Sequence, residues 1–275
     1  MPYSIPADIG PFETLLAGIN ESEPAFVVHV GDIKNGISQC SDTHYETIRG
    51  YFDPVDPPLI YTPGDNDWAD CDRFLAGGHD TRERLSELRR VFFPEARSLG
   101  WNPMALLRQA DLGAYPDMVE NAIWHHGGIT FATLHLVGSD NNLFDDPTEF
   151  EARNSANLDW IATAFAAASE RASIGAVLMF HADIFSRRAP PAAFAGTIAA
   201  IAAAAETFDR PVLLVNGDAH VFGIDTPIRR SDTGRANSKI TRVIVFGGSE
   251  IRAVKVTVDP NSPALFTAGP LALPN

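Results

Sequence analysis

The sequence predicts an α/β fold in which a mainly parallel sheet is flanked by helices, and two observations lead to this prediction. Four strand-like runs, at residues 26–30, 59–62, 176–180 and 211–215, each end directly in a polar segment. Amphipathic helix patterns are interspersed with these runs along the chain. The carboxyl ends of parallel strands fall on one edge of a sheet, where open α/β folds build their sites. We therefore expect a polar site at that edge.

The composition is that of a globular chain with a substantial core. The 275 residues are 45% hydrophobic and 20% charged. The net charge of −14 argues against partners that favour basic surfaces, namely the nucleic-acid backbone and anionic membranes. No apolar run has the length expected of a membrane span, the longest candidate being residues 197–205. The first residues show no export signal.

In the N-terminal part, the first predicted helix covers about residues 10–20. Its apolar stripe consists of Phe12, Leu15, Leu16 and Ile19. A second helix is predicted over residues 41–51, with Ser41 or Asp42 as its N-cap. Prolines then end this helix before the strand at 59–62.

The middle of the chain alternates between regular and irregular patterns. A helix is predicted around Leu85, Leu88 and Phe92, followed by an irregular excursion over residues 94–121. A further strand over residues 130–137 also ends in a polar run. That run consists of Gly138, Ser139, Asp140, Asn141 and Asn142.

Helices are also predicted in the C-terminal part, one around residues 158–165 and one over residues 190–208. Residues 240–246 and 252–258 are predicted to be two strands of a hairpin that turns at residues 247–250. No repeat, low-complexity tract or linker is evident, so we expect residues 1–275 to form a single domain.

The polar strand ends contain the side chains of a metal site. The candidates are Asp32, Asp65, Asn66, His181, Asp218 and His220. Asp218 and His220 can face the same way because alternate residues of an extended segment do so. Hard oxygen ligands combined with imidazole nitrogen suit Mn, Fe, Zn or Co. Two such ions can activate a shared water and neutralise the charge of a phosphoryl group under attack.

The order of these motifs resembles the calcineurin-like metallophosphoesterases. Gly31-Asp32 matches the second motif of that family, residues 63–67 resemble the third, and His181 the fourth. Residues 217–220 resemble the fifth, so the resemblance spans about residues 26–222. It implies an αββα sandwich, mixed sheets flanked by helices, and hydrolysis of a phosphate mono- or diester of a small substrate. The resemblance also implies two divalent ions and a metal-bound hydroxide as the nucleophile.

The resemblance implies a role for each candidate ligand. Asp32 is expected to bridge the two ions, His220 to serve one, and His181, Asp65 and Asp218 to serve the other. Counting from Gly64 places Asp65 at the ligand asparagine of the family, although Asn66 as the ligand and Asp65 as its orienting partner remains an alternative.

Three departures from the family pattern affect the predicted activity. Asn66 stands at the position of a histidine that helps to protonate the leaving group, and an amide cannot do so. Asp218 replaces the first histidine of the fifth motif. The first motif, a strand ending in Asp-x-His, is missing, and we expect that this chain begins after it. A degenerate protein that binds metal or a phosphorylated ligand without turnover is therefore the alternative to an enzyme.

Other polar residues are candidates for contacts with substrate. His79 is a candidate replacement for the missing acid, with Asn66 as the other catalytic candidate. Five residues are candidate contacts of an anionic substrate, namely Lys34, Arg73, Asn141, Asn142 and Arg188. His29 and His135 lie within strand-like runs and are expected to be core residues.

The two cysteines, Cys40 and Cys71, each follow one of the first two strand ends by a few residues. They are either a disulfide at the rim of the site or two unpaired thiols. A disulfide would imply an exported protein, for example a periplasmic one.

Overall fold

The computed structural model describes residues 1–248 and 250–273, and this part of the chain forms five α-helices and eleven β-strands. The helices are α1 (Ile9–Glu21), α2 (Asp42–Phe52), α3 (Thr81–Phe92), α4 (Pro147–Glu170) and α5 (Pro191–Phe208). The strands are β1 (Val27–His29), β2 (Leu59–Tyr61), β3 (Leu107–Arg108), β4 (Ala122–His126), β5 (Ile129–Thr133), β6 (Gly175–Phe180), β7 (Val212–Asn216), β8 (Gly223–Asp225), β9 (Ile240–Ile244), β10 (Val254–Val258) and β11 (Phe266–Pro270).

Seven strands form a mixed sheet in the order β3-β4-β5-β6-β7-β9-β8. The central strands β5, β6, β7 and β9 are parallel, whereas β3, β4 and β8 run antiparallel to their neighbours at the two edges. Strands β1 and β2 form a separate parallel pair, and β10 pairs with β11 in antiparallel orientation. A mixed sheet flanked by helices confirms the predicted α/β class.

Three clusters of buried apolar side chains stack the elements into layers. Trp160 of α4 and Ile201 of α5 pack against one face of the seven-stranded sheet. Val30, which directly follows β1, and Ile60 of β2 pack against the other face. The outer side of that pair is covered by α1, α2 and α3, for example through Leu88. Burial on both faces of each sheet gives the order helix, sheet, sheet, helix.

This layering brings the polar ends of both sheets to one edge. The Thr62 hydroxyl, after β2, donates to the Leu134 carbonyl, after β5, at 3.2 Å. The Gly217 backbone N–H, after β7, donates to the His181 carbonyl, after β6, at 3.0 Å. The segments that follow four strands are therefore in direct contact, as the strand-end pattern predicted.

Helices α1, α2 and α5 begin and end within one residue of the predicted positions, whereas α4 begins at Pro147, well before the predicted stretch. At the start of α2, the Ser41 hydroxyl accepts a hydrogen bond from the His44 backbone N–H at 3.2 Å, so Ser41 is the N-cap. The strand predicted over residues 130–137 ends earlier, at Thr133. Beyond it, the Leu134 N–H still bonds the Met179 carbonyl at 2.9 Å.

The hairpin predicted for residues 240–258 is wrong. Strand β9 pairs with β7 and β8 in the large sheet, whereas β10 pairs with β11. Both segments form strands, but strand propensity does not specify the pairing partner. Strand β9 is largely buried in the large sheet, whereas β10 is more exposed and lies in a separate two-stranded sheet. Ser249, in the predicted turn, lies outside the described residues.

Helix α5 corrects the expectation that no segment is long and apolar enough to span a membrane. Its 18 residues, with a mean hydropathy of 1.3, are long and apolar enough to cross a membrane by length and composition. Core helices of globular proteins pass the same test. In the structure, Ala193, Phe194 and Ile201 of α5 are buried against α4 and the large sheet.

Candidate metal centre

Three side chains from three strand ends meet in a buried group. Asp32 follows β1, Asp65 follows β2 and His181 follows β6, and one ligand atom of each lies within 4.8 Å of the others. His181 Nε2 is 3.1 Å from Asp65 Oδ1 and 3.4 Å from Asp32 Oδ1. Their exposed fractions are only 5% for Asp32, 7% for Asp65 and 1% for His181. Two carboxylates and an imidazole are thus held together away from solvent.

The hydrogen bonds of His181 leave one ring nitrogen available. Nδ1 lies 2.8 Å from the Val30 carbonyl, which can only accept, so Nδ1 carries the proton of the neutral ring. Nε2 is buried and has no hydrogen-bond partner within the described residues, although it faces both carboxylates. A histidine that donates one N–H to a backbone carbonyl and points its other nitrogen at carboxylates has the arrangement of a metal ligand.

The charges of the three groups are mutually dependent. Burial lowers the pKa of His181, but Asp32 and Asp65 outweigh burial, so the pKa lies well above its ordinary value. Burial raises the pKa of Asp32 well above its usual range, opposed by His181 and reinforced by Asp65. Burial also acts to raise the pKa of Asp65, but the adjacent His181 ring and the Ser139 hydroxyl hold it below its usual range. The two carboxylates therefore favour a positive charge at the position between them and His181.

Two glycines allow the ligand segments to approach each other. Gly31 has φ +90°, and a Cβ there would stand 2.6 Å from the Gly64 nitrogen and from His181 Nδ1. A Cβ at Gly64 would collide with Asp32 Oδ1 and would lie 2.6 Å from the Asp32 nitrogen. Both glycines are therefore required by close backbone approach. Asp32 itself has φ +59°, a conformation that is uncommon for a residue with a side chain.

Asp67 holds these two segments together, a role that the sequence analysis did not assign to it. Its fully buried carboxylate accepts backbone N–H groups from Asp32 at 3.0 Å, Ile33 at 2.7 Å and Gly64 at 2.7 Å. It also accepts the Tyr61 hydroxyl at 2.6 Å. The two loops that carry Asp32 and Asp65 are thus fixed by one carboxylate. Its place within the motif at residues 63–67 was the only signal for it.

Asp65 belongs to the group of three, whereas Asn66 lies next to it. The Asn66 side-chain amide donates to Asp32 Oδ2 at 2.7 Å, and its backbone N–H lies 3.3 Å from Asp32 Oδ1. Asp65 Oδ2 accepts the Ser139 hydroxyl at 3.0 Å, while Oδ1 faces His181. Asp65 therefore lies in the group of three, and Asn66 lies beside it as a hydrogen-bond donor to Asp32.

Asp218 and His220 follow β7 on the same edge but do not join the group of three. Asp218 Oδ2 accepts the Asp183 backbone N–H at 3.0 Å, next to the His181 loop. His220 is exposed, and its ring centroid lies 6.4 Å from that of Tyr3. The Tyr3 hydroxyl in turn donates to the Asp32 carbonyl at 3.1 Å. Both predicted ligands lie near the site, and their strained φ values of +63° and +60° mark a tight turn.

The predicted substrate contacts Asn141 and Asn142 have internal partners instead. Asn141 Oδ1 accepts a hydrogen bond from Arg153 at 2.6 Å, and the Asn142 amide donates to Glu149 at 2.9 Å. Both amides hold the loop after β5 in shape. This loop reaches the site through Ser139, which the sequence analysis placed in the polar run but did not select.

The remaining predicted contacts are not brought to the group of three. Lys34 is 1% exposed, and its ammonium donates to the Asn35 carbonyl at 3.0 Å. Burial lowers the pKa of Lys34, opposed by nearby carboxylates. Arg188 is exposed in the loop before α5. The His79 ring lies against Gly77, and its backbone N–H bonds the Cys71 carbonyl at 2.8 Å, so it lies beside the cysteine pair.

Cys40 and Cys71 form a disulfide at the rim of the site, which settles the alternative that the sequence left open. Both sulfur atoms lie about 4 Å from the Asn66 carbonyl, at 3.9 and 4.0 Å. The bridge therefore supports the segment that carries Asp65 and Asn66. A disulfide fits an exported protein, because disulfides persist in oxidising compartments. The predicted core histidine His135 is fully buried.

The group of three fits a divalent metal ion. Two carboxylate oxygens and one imidazole nitrogen suit Mn, Fe, Zn or Co, and three protein ligands leave a coordination position open. The unpartnered Nε2 of buried His181 supports this assignment, because buried polar atoms are nearly always bonded. Within residues 1–248 and 250–273, this is the one group of three or more His, Cys, Asp or Glu side chains with such spacing.

Comparison with known proteins supports the fold. No model of a known protein family matches the chain, and no curated protein does. The solved structure of PhoD matches it with a TM-score of 0.55 and 12% sequence identity, over 87% of this chain. The match covers 54% of the PhoD chain, so this chain spans about half the length of PhoD. The likeness shows the fold, a metallophosphoesterase-like sandwich with a mixed sheet flanked by helices.

Proposed function

We propose that this protein is a metal-dependent phosphoesterase of the calcineurin-like type, acting on a small phosphorylated substrate. One observation carries the proposal. The buried His181 Nε2 has no hydrogen-bond partner in the described part of the chain, and it faces Asp32 and Asp65 at the site edge of a sandwich similar to PhoD. The disulfide and the net charge of −14 support an exported protein with a small substrate rather than a nucleic acid.

Each residue has a defined part in this proposal. Asp32, Asp65 and His181 hold a divalent ion, Asn66 fixes one oxygen of Asp32, and Ser139 fixes one oxygen of Asp65. When bound, the ion would polarise a phosphoryl oxygen and lower the pKa of a water molecule. Because the amide of Asn66 cannot act as a general acid, the leaving group takes its proton from another group.

The proposal retains a second ion, with Asp32 shared between the two. Asp218 would assist at the first ion, since the Asp183 N–H occupies only one of its oxygens. His220 would serve the second ion from the adjacent turn. Mn, Fe, Zn and Co all fit this ligand set.

The second candidate function is binding of metal or of a phosphorylated ligand without turnover. It is favoured by Asn66, an amide that touches Asp32 where a titratable acid would assist catalysis. In this case the protein would still load a metal ion, because the group of three does not depend on the acid.

Purified protein with added Mn²⁺ or Zn²⁺, assayed on an aryl phosphate, tests the proposal. We expect metal-dependent turnover that falls to background in Asp32→Ala, together with loss of bound metal measured by mass spectrometry. A matched control is Asp53→Ala, an exposed carboxylate that pairs with Arg49 on the surface of α2. Bound metal without turnover in the wild type would favour the second function. Failure to bind metal would refute the enzyme and the metal-binding form of the second function.

A further inference from the structure

An arginine that no part of the proposed mechanism uses lies near Asn66, the residue that donates to Asp32. Arg73 follows Cys71 of the disulfide, and its side chain is 50% exposed. Nη1 lies 2.6 Å from Asp70 Oδ2, and the Asp70 side chain is only 11% exposed. The guanidinium is thus held by a largely buried carboxylate on a segment that the disulfide supports. This differs from a freely solvated surface arginine.

The position of Gly36 shows where this guanidinium lies. A Cβ at Gly36 would stand 2.9 Å from Asn66 Oδ1 and 3.2 Å from Arg73 Nη1. The Asn66 amide oxygen and Arg73 Nη1 therefore lie on the same side of Gly36, no more than 6.1 Å apart. Asn66 in turn donates to Asp32 Oδ2 at 2.7 Å. Asn66 thus lies next to both the guanidinium and one of the proposed metal ligands.

Lys34, Arg73 and Arg188 are the basic residues predicted to contact the substrate. Of these, Arg73 is the one whose half-exposed guanidinium lies near Asn66. The ammonium of Lys34 is buried and turned to the Asn35 carbonyl. A guanidinium has five N–H donors in a planar fork, and one carboxylate cannot occupy them all. The half-exposed fork can therefore accept a second oxyanion next to the metal-ligand group.

We propose that Arg73 binds the phosphoryl group of the substrate, positioned by Asp70, and makes the site prefer phosphate monoesters to diesters. The inference rests on the proposed function. A monoester has three non-bridging oxygens, so one remains for the arginine fork even if the two proposed ions each take one. A diester has only two, so none would remain for the fork. The guanidinium thus favours monoesters over diesters, because a monoester has one more non-bridging oxygen and a larger negative charge.

Binding measurements test this inference separately from turnover. Calorimetric titration of the Mn²⁺-loaded protein with methyl phosphate and with dimethyl phosphate compares the two ester classes directly. In Arg73→Ala, we expect methyl phosphate affinity to fall roughly 10- to 100-fold, the range expected for a charge-assisted contact. Dimethyl phosphate affinity should fall less than about fivefold, since a diester has no oxygen left for a charge-assisted contact with the fork. Arg73→Lys keeps the charge without the fork and should recover only part of the loss.

The matched control is Arg230→Ala, because Arg230 also pairs with a nearby aspartate, Asp232 at 2.9 Å, but on an exposed surface. It should change neither affinity, and thermal melts of all variants check their folding. Equal losses for both esters in Arg73→Ala, or unchanged methyl phosphate affinity, would overturn the proposal, as would a wild type that binds neither. Absence of aryl phosphate hydrolysis with these binding differences intact would refute the proposed enzyme but support the role of Arg73.

Discussion

The molecule contains two buried histidines beside carboxylates, and they differ in how completely they are bonded. His135 Nδ1 lies 2.6 Å from Glu120 Oε1, and His135 Nε2 accepts the Trp68 indole N–H at 3.0 Å. Glu120 also accepts two hydrogen bonds from Arg89, at 3.1 and 2.7 Å. Every nitrogen and the carboxylate charge therefore have partners. This region is a closed structural network.

The His181 region has the same residue types without the closing cation. Asp32 and Asp65 have no lysine or arginine within 4.0 Å among the described residues, and His181 Nε2 has no hydrogen-bond partner there. Two buried carboxylates that lack a counter-charge cost free energy. The comparison teaches that Arg89 supplies in one region the positive charge that the other region must obtain from a bound ion or a proton.

The largest expected effect concerns the closed network. Glu120→Ala leaves the Arg89 guanidinium and the His135 N–H without their partner, so the free energy of unfolding should fall by about 3–5 kcal/mol. Urea denaturation measures this change. Glu46→Ala, which removes an exposed partner of Arg90, should change it by less than about 1 kcal/mol. Similar losses in both variants would show that the network is not a stabilising unit.

The pH dependence of the Glu120 effect sharpens this test. Burial would raise the pKa of Glu120, but Arg89 and His135 outweigh it and hold the pKa well below its usual range. A depressed folded-state pKa stabilises the protein above the unfolded-state value of about 4.3, and this stability is lost as the pH falls towards the folded-state pKa. The difference between wild type and Glu120→Gln should therefore be full at neutral pH and shrink in acid.

The next effect concerns the open group of three. Mn²⁺ at a hundredfold excess over its dissociation constant should stabilise the wild type by about 2.7 kcal/mol, because the ion binds only the folded site. His181→Ala should abolish this gain, since it removes the nitrogen ligand. Thermal melts with and without Mn²⁺ measure both. An equal gain in His181→Ala would place the ion elsewhere.

The sequence predicted the members of the group of three better than the residue Asp67, which holds their loops in place. Asp32 and Asp65 follow two neighbouring parallel strands, so their meeting follows from the strand-end pattern. His181 follows a strand of the other sheet, so its approach also depends on how the two sheets pack. Asp67 was not assigned because its partners, the N–H groups of Asp32 and Ile33, lie more than thirty residues away along the chain. A carboxylate that binds backbone N–H groups looks the same in sequence as one that binds metal.

The loop after β5 shows the same limit for substrate contacts. Polar residues at a strand end indicated a site, and Ser139 does reach Asp65. Asn141 is instead occupied by Arg153, which lies in α4 and has no local sequence relation to the site. The layers of the fold were predictable from hydrophobic pattern, whereas the partners of strands β9 and β10 depended on packing between distant segments.

A smaller effect is expected from the carboxylate that holds the two ligand loops. Asp67→Asn keeps the shape but replaces two acceptor oxygens by one, so the N–H groups of Asp32, Ile33 and Gly64 lose part of their support. Metal affinity should fall about 10- to 100-fold, as for other residues that orient metal ligands. Calorimetric Mn²⁺ titration measures it. Unchanged affinity would mean that the loops hold their shape without this charge.

The smallest effect separates two tyrosines that bond Asp67. Tyr61 donates to its carboxylate at 2.6 Å, whereas Tyr45 donates to its backbone carbonyl at 2.5 Å. Tyr61→Phe and Tyr45→Phe should each lower the free energy of unfolding by about 1 kcal/mol, because each removes one buried hydrogen bond. Only Tyr61→Phe should weaken Mn²⁺ binding, by less than about tenfold, since only it alters the carboxylate that fixes the ligand loops. Equal Mn²⁺ affinities in the two variants would show that Asp67 acts on the metal site through the main chain alone.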